Sequence, residues 1–283
     1  MMDILRKNNN KGIIIYLDDV LVYSETKKRH FELLESVFQK FANSGILLNP
    51  RKCQFGRREL NYLGFTITEE GYRPQKCKTE AIENFPNPQT KRSLKRFIGM
   101  ASFYSHLIPE LQFTMGPLHE ISGTKSEFVW TEKQEEAFQR VKELLAHSAT
   151  LAFPSNTENS QLILATDASC LGWGAVLTEK ELTTEIERPI GFTSGRFRGP
   201  QERWCIAEKE AFAFVSALNF FYVYVYGHKF VFRTDNRSLS FLKSTSFTKK
   251  PSGVPNWKTI RWLEFIAQFD FSIELHAGSA ECM

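Results

Sequence analysis

Three carboxylates, Asp167, Glu210 and Asp235, follow or interrupt apolar stretches of the chain. Like charges gathered in an apolar setting repel one another and resist desolvation, so they are expected together mainly where a divalent cation neutralises them. Two such ions held by carboxylates can activate a water and stabilise the leaving oxygen in phosphodiester cleavage. A single Asp at a strand end is usually a cap or turn residue, but the combination of three acids predicts a metal site.

Runs of β-branched and aromatic residues predict the strands that must position these acids. Residues 162–177 predict two strands joined by a tight turn, with Asp167 at the centre of this hairpin. A strand over 229–234 returns parallel to the first and ends just before Asp235. Further strands are predicted at 188–194 and 269–275, which completes a mixed sheet.

The third acid, Glu210, lies on a helix predicted from about Ala207 to Tyr222. This helix is apolar over most of its face, so it should cover the sheet. Glu208, two residues earlier, is the competing acid on the same helix. We expect Glu208 to be a solvated residue of the first turn.

A second pair of acids, Asp18 and Asp19, lies between two apolar runs in the sequence Tyr-Leu-Asp-Asp. The pattern predicts a β-hairpin with both acids in its turn. Acids are common in turns because their side chains bond to nearby backbone groups. The residues alone therefore leave open whether this pair is structural or functional.

The composition indicates an ordinary globular protein, with 42% hydrophobic and 24% charged residues among 283. No apolar run approaches the ~20 residues that span a bilayer, and the amino terminus lacks the apolar core of a signal peptide. We therefore expect an intracellular protein without a membrane segment. The five cysteines form no Cys-x-x-Cys pair, so free thiols are predicted rather than a zinc site or disulfides.

Basic residues are concentrated between Gly71 and Pro109, where the sequence has seven Lys or Arg and only two acidic residues. Within this segment Thr90 can cap a helix that starts at Lys91 and carries several of the cations. Such a helix can contact the phosphates of a duplex. A basic run is also often just a solvated helix face, and the residues alone favour that simpler interpretation.

Two further helices are predicted from local patterns. One spans 26–42, where Phe31, Leu34, Phe38 and Phe41 recur at three- and four-residue steps and should face a sheet. The other begins after Thr131, which forms a capping box with Gln134. Polar residues 155–160 then form a linker and the main domain boundary.

Taken together, these motifs resemble a known family. The order Asp, Glu, Asp on strand, helix and strand resembles the ribonuclease H domain of retroviral and retrotransposon polyproteins. Tyr-x-Asp-Asp between apolar runs is similar to the polymerase hairpin of reverse transcriptases. The order of segments along the chain resembles the Pol polyprotein of gypsy-type long-terminal-repeat retrotransposons. The resemblance implies that the Mg²⁺ ligands, with Mn²⁺ as a substitute, are Asp167, Glu210, Asp235, Asp18 and Asp19.

The resemblance also implies residues that contact nucleic acid. The turn Leu63, Gly64 and Phe65 corresponds to the primer grip of the palm, although it also fits a plain hairpin. The basic helix corresponds to the thumb, and its cations at this position are Lys91, Arg92, Lys95 and Arg96.

The fold implied is α/β (α+β), with the C-terminal part of a reverse-transcriptase palm at 1–72. A helical thumb and connection follow at 73–155, and a ribonuclease H-like mixed five-stranded sheet with flanking helices occupies 161–283. The family places a third polymerase acid upstream of Asp18 and a fourth ribonuclease H acid shortly beyond the loop at His276. This chain shows neither, so we expect a fragment truncated at both ends.

The function implied is two-metal hydrolysis of the RNA strand of RNA/DNA hybrids, with RNA-directed DNA synthesis only in a full-length parent. The expected partners are hybrid and primer-template nucleic acid and the rest of a Pol polyprotein, in a cytoplasmic particle or the nucleus. Two alternatives remain open. In the first, the chain is a catalytically inactive remnant that still binds nucleic acid. In the second, it is an unrelated α/β protein with incidental acids.

Overall fold

The computed structural model describes residues 12–123, 127–155, 157–236, 239 and 257–276. The chain divides into two compact units, of which the first ends at Tyr62 and the second begins at Leu63. Mixed helices and sheets confirm the predicted α/β (α+β) class. The boundaries predicted at 1–72, 73–155 and 161–283 stay predictions. Among the described residues, no helix is both long and apolar enough to cross a bilayer.

The first unit begins with an antiparallel hairpin of β1 (Ile13–Tyr16) and β2 (Asp19–Val22). Alternation along β1 buries Ile13 and Ile15 and exposes Ile14 and Tyr16. Helix α1 (Lys27–Asn43) packs its buried residues against these isoleucines. Thr26 caps the helix, since its side-chain oxygen accepts from the Arg29 N–H at 3.2 Å. Strand β3 (Leu60–Tyr62) ends the unit.

The predicted buried face of α1 is partly wrong. Phe31 is 69% exposed and Phe38 is also exposed, while the buried residues are Leu33, Val37 and Phe41. Leu33, Val37 and Phe41 are four residues apart and form one stripe along the helix. Because each residue turns the helix by about 100°, this stripe is rotated around the axis from the stripe through Phe31 and Phe38. Both stripes are apolar, and the hairpin covers only the first.

The second unit opens with helices around a core of their own. The strand pair β4 (Phe65–Ile67) and β5 (Tyr72–Pro74) leads into five helices. These helices are α2 (Lys76–Glu83), α3 (Lys91–Ser102), α4 (Leu111–Thr114), α5 (Gly116–Ser122) and α6 (Glu132–Ala146). Fully buried residues such as Leu94, Phe97 and Phe138 fill the space between them. The predicted capping box is confirmed, because the Thr131 N–H donates to Gln134 Oε1 at 3.2 Å.

The remaining strands form one mixed five-stranded sheet in the order β10-β9-β6-β7-β8. Strands β6, β7 and β8 form an antiparallel meander, and β9 and β10 add parallel to β6 on its other side. Their bounds are β6 (Ser160–Ala168), β7 (Gly172–Glu181), β8 (Glu187–Arg196), β9 (Lys229–Thr234) and β10 (Asp270–Leu275). The predicted parallel return of 229–234 is therefore confirmed.

Among the described residues, three α-helices accompany this sheet, α7 (Ile206–Phe220), α8 (Tyr222–Val225) and α9 (Trp257–Ile266). Helix α7 packs on β6 and β7, and α9 packs on α7. Phe214 of α7 and Phe232 of β9 are fully buried, with ring centroids 3.8 Å apart. This apolar layer holds α7 at one position against the sheet. Cys53, Cys77, Cys170 and Cys205 are free thiols, as predicted, and Cys282 lies outside the described residues.

Candidate active site

Two of the three predicted acids lie at the same edge of the sheet because their strands are parallel neighbours. Asp167 is the second-last residue of β6, and Asp235 directly follows β9. The register pairs Ala165 with Arg233, two residues before each acid. Continuing that register places Asp167 beside Asp235. Both residues are exposed, so solvent and a substrate can reach this edge.

The third acid, Glu210, reaches the same point from α7. It is only 3% exposed, and its Oε1 accepts a hydrogen bond from the Ala168 N–H at 3.3 Å. Its other oxygen, Oε2, is buried with no hydrogen-bond partner. A buried carboxylate oxygen without a donor is costly, and a cation bound at this oxygen would remove the cost.

The three side chains form one cluster, in which one oxygen from each lies within 4.8 Å of the others. Among the described residues it is the only group of three or more Asp, Glu, His or Cys close enough to share an ion. Burial raises the pKa of Glu210 to about 8, with Asp167 and then Asp235 adding to the increase. Oxygen donors with concentrated negative charge suit hard divalent cations, so the residues present fit such an ion.

The competing acid, Glu208, lies in the first turn of α7 as predicted. It is not a freely solvated side chain, because both of its oxygens have partners. Its Oε2 accepts from the Cys205 N–H at 3.4 Å, and its Oε1 lies 2.7 Å from Lys258 Nζ of α9. The side chain is 30% exposed. Glu208 therefore caps α7 and links it to α9, while Glu210 faces the cluster.

The second predicted acid pair lies in the β1–β2 hairpin. Asp18 is in the turn, whereas Asp19 is the first residue of β2, opposite Tyr16. Both acids are exposed, and Leu17 before them has a φ of +50°. Burial raises the pKa of Tyr62, with Asp19 and Tyr16 adding to the effect. The described residues bring no third acid, His or Cys to this pair.

The predicted primer-grip residues form a tight turn supported by aromatic rings. Leu63 and Gly64 have φ values of +50° and +87°, and Leu63 is 38% exposed. Tyr104 Oη donates to the Gly64 carbonyl oxygen at 3.1 Å. Phe65 stacks on Phe103 with ring centroids 5.3 Å apart. These two supporting residues were not predicted, although an adjacent aromatic pair at the end of a helix is the signal that marks them.

The four predicted cations of α3 are in different environments. Arg92, Lys95 and Arg96 are exposed, and their three- and four-residue spacing places them on one side of the helix. Lys91 is half-buried and donates to the Gly123 carbonyl oxygen at 3.0 Å. Thr90 caps the helix as predicted, with its Oγ1 accepting from the Ser93 N–H at 3.2 Å.

Two family models match this chain. Residues 1–67 match reverse transcriptase (RNA-dependent DNA polymerase), and residues 130–232 match the RNase H-like domain found in reverse transcriptase. The predicted relationship to reverse transcriptases with an RNase H part is thereby confirmed.

Known relatives are polyproteins much longer than this chain. It is 30% identical over 280 residues to the retrovirus-related Pol polyprotein from transposon 297 of Drosophila melanogaster, covering 98% of this chain and 25% of that protein. It is 25% identical over 279 residues to the transposon Tf2-3 polyprotein of Schizosaccharomyces pombe, covering 98% of this chain and 20% of the relative. The enzymatic polyprotein of carnation etched ring virus is 28% identical over 273 residues, which cover 95% of this chain and 40% of the viral protein.

The fold agrees with solved structures of the same kind. The foamy viral protease-reverse transcriptase in complex with RNA/DNA hybrid matches with a TM-score of 0.83 and 21% identity, covering 99% of this chain and 37% of that chain. The same viral protein in complex with double-stranded DNA matches with a TM-score of 0.82 and 21% identity, over 99% of this chain and 57% of the other.

Proposed function

We propose that this chain, which carries the reverse-transcriptase and RNase H-like parts of a retrotransposon-type Pol polyprotein, hydrolyses the RNA strand of RNA/DNA hybrids with divalent metal ions. Mg²⁺ is the proposed ion, and Mn²⁺ can replace it. The observation that carries the proposal is the convergence of Asp167, Glu210 and Asp235 within 4.8 Å. The orphaned, buried Oε2 of Glu210 supports it, because that oxygen needs a cation or a donor.

The three carboxylates have different proposed roles because they differ in exposure. Glu210 is buried and anchored to Ala168, so it fixes the inner side of the site. Asp167 and Asp235 are exposed at the sheet edge, where they would meet the substrate. Divalent ions bound here would supply an activated water and would neutralise charge on the scissile phosphate. Hydrolysis joins the water oxygen to phosphorus and breaks the bond to the 3′ oxygen, which leaves as a 3′ hydroxyl.

The nucleic-acid contacts follow from charge and exposure. Arg92, Lys95 and Arg96 present three cations on one helix face for the phosphates of a duplex. Lys91 assists this surface indirectly, by tying the helix start to Gly123. The turn at Leu63 and Gly64, stiffened by Phe65, holds the end of a primer. Complexes of the foamy viral enzyme with hybrid and duplex DNA support this choice of partner.

A polymerase role is proposed only for a protein of the relatives' full length. In such a protein Asp18 and Asp19 would hold the Mg²⁺ ions for RNA-directed DNA synthesis. Because the relatives are polyproteins of transposons and a virus, we place the activity inside the cell, in a cytoplasmic particle or the nucleus.

The direct test is cleavage of an RNA/DNA hybrid labelled on its RNA strand, in Mg²⁺ and then in Mn²⁺. The wild-type chain should release RNA ending in a 3′ hydroxyl, and Asp167→Asn should not. Asp270→Asn is the matched control, since Asp270 is exposed at the start of β10 and thus at the opposite end of the strands. It should cleave like the wild type.

Two outcomes contradict the proposal. A folded chain that binds hybrid but does not cleave it in either metal supports the inactive nucleic-acid-binding alternative. Cleavage that survives Asp167→Asn indicates a contaminating nuclease or a different site.

A further inference from the structure

Lys209 is a buried cation immediately before the candidate ligand Glu210. Its residue exposure is 5%, although a lysine is almost never fully buried unless it is paired. Its Nζ donates to the Cys170 carbonyl oxygen at 2.9 Å. The same Nζ lies 5.2 Å from the ring centroid of Phe197. The burial of this ammonium therefore depends on one charged hydrogen bond and one aromatic face.

The carbonyl that Lys209 contacts belongs to the turn between β6 and β7, three residues after Asp167. Ser169 closes this turn, because its Oγ accepts from the Gly172 N–H at 3.1 Å and donates to the Gly172 carbonyl at 3.1 Å. The buried Phe197 also supports the turn, because its N–H donates to the Leu171 carbonyl at 3.0 Å. The Cys170 carbonyl points to α7 instead, where it accepts from the lysine.

Two consecutive residues of α7 thus hold the same segment of chain. Glu210 accepts from the Ala168 N–H, and Lys209 donates to the Cys170 carbonyl. Asp167 directly precedes this segment. We propose that Lys209 is a positioning residue, whose charged hydrogen bond to the β6–β7 turn sets the separation of Asp167 from Glu210 and thereby the affinity of the site for divalent metal. The proposal deepens the proposed function and rests on the same site.

A role in packing alone predicts a different response to substitution. Methionine has nearly the length of lysine and fills buried space without the desolvation penalty of an ammonium. If Lys209 only fills space, Lys209→Met should leave metal binding unchanged. If the charged donor holds the turn, Lys209→Met should weaken metal binding without unfolding the protein, and Lys209→Arg should retain most of it.

The test measures Mn²⁺ binding to the full chain directly, by calorimetric titration, for the wild type and both variants. Lys209→Met should raise the Kd for Mn²⁺ by roughly tenfold, a change of about 1.4 kcal/mol, while its melting temperature stays at or above that of the wild type. Lys209→Arg should remain within about threefold of the wild type. Lys229→Met is the matched control, because Lys229 is exposed at the start of β9, six residues before Asp235.

Hydrogen exchange adds a readout that does not need metal or activity. The amides of residues 170–172 should exchange roughly tenfold faster in metal-free Lys209→Met, because the turn has lost its attachment to α7. The proposal would be overturned if Lys209→Met showed the same hydrogen exchange and the same Mn²⁺ affinity as the wild type. A folded Lys209→Arg that loses as much Mn²⁺ affinity as Lys209→Met would also overturn it. Since neither measurement uses cleavage, a wild-type chain that fails to cleave hybrid rejects the proposed function without deciding this inference.

Discussion

The buried carboxyl of Glu210 should make the metal-free protein less stable as the pH rises. Burial, reinforced by Asp167 and Asp235, raises its pKa from 4.5 to about 8 in the folded state. Between these values the folded chain keeps a proton that the unfolded chain has released. The stabilisation is therefore complete below about pH 4.5 and is lost as the pH rises through 8.

The size of the effect follows from the pKa and the geometry. At ~1.4 kcal/mol per pH unit, the change from 4.5 to about 8 corresponds to about 5 kcal/mol in full. About 3 to 4 kcal/mol of this lies between pH 5 and pH 8. Repulsion between two carboxylates that lie within 4.8 Å of one another is about 3 kcal/mol or more at an effective dielectric constant near 20. Water screens the exposed Asp167 and Asp235, so burial stays the larger cause.

The assay is urea unfolding at several pH values in the presence of a chelator. Other groups also titrate, so the informative quantity is the difference in free energy of unfolding between the wild type and Glu210→Gln. The glutamine keeps the shape but has no proton to lose, and the wild type should lose about 3 to 4 kcal/mol relative to it from pH 5 to pH 8. Glu264→Gln, at an exposed position on α9, controls for the removal of one carboxylate and should behave like the wild type.

Mg²⁺, the ion we propose, should offset most of this loss, because it would bind the ionised carboxylates of the folded state only. At a concentration 100 times its Kd, a ligand adds about 2.7 kcal/mol of stability. The gain should be larger at pH 8 than at pH 5, since proton and metal compete for Glu210. Equal pH dependence of the wild type and Glu210→Gln, without metal, would refute the reasoning that this carboxyl is protonated in the folded chain.

Three further outcomes are expected from the packing and charge of other residues. Phe41→Ala should destabilise the first unit by about 3 to 5 kcal/mol, and Phe31→Ala by less than about 0.5, as measured by urea unfolding; equal effects would contradict the described face of α1. Lys95→Gln should weaken hybrid binding and reduce the salt slope of log Kd by about 0.9; an unchanged slope would exclude a phosphate contact. Lys258 Nζ lies 2.7 Å from Glu208 Oε1 and 3.8 Å from the centroid of the Trp204 ring. Lys258→Met should therefore cost about 1 to 2 kcal/mol of stability; the same loss measured in a Glu208→Gln background would refute the coupling between Lys258 and Glu208.

Local patterns in the sequence predicted the elements, and the resemblance to a known family identified the candidate ligands. Strands end where apolar runs end, and this rule correctly located Asp235 directly after β9. Asp167 was predicted near the centre of the hairpin, and it is the second-last residue of β6. The parallel return of β9 was predictable because the intervening helix is long enough for a crossover connection. The caps at Thr90 and Thr131 were predictable because a cap depends only on residues within one turn.

Other features depend on contacts between distant parts of the chain, and only the tertiary structure decided them. Helix α1 has two apolar stripes, and the hairpin covers the one through Val37 rather than the one through Phe31. The raised pKa of Glu210 depends first on burial between the helix and the sheet, and both other acids add to it. Lys209 meets the Cys170 carbonyl across 39 residues of chain. Burial and pairing of this kind are properties of the packed sheet and helix, so no short stretch of sequence contains them.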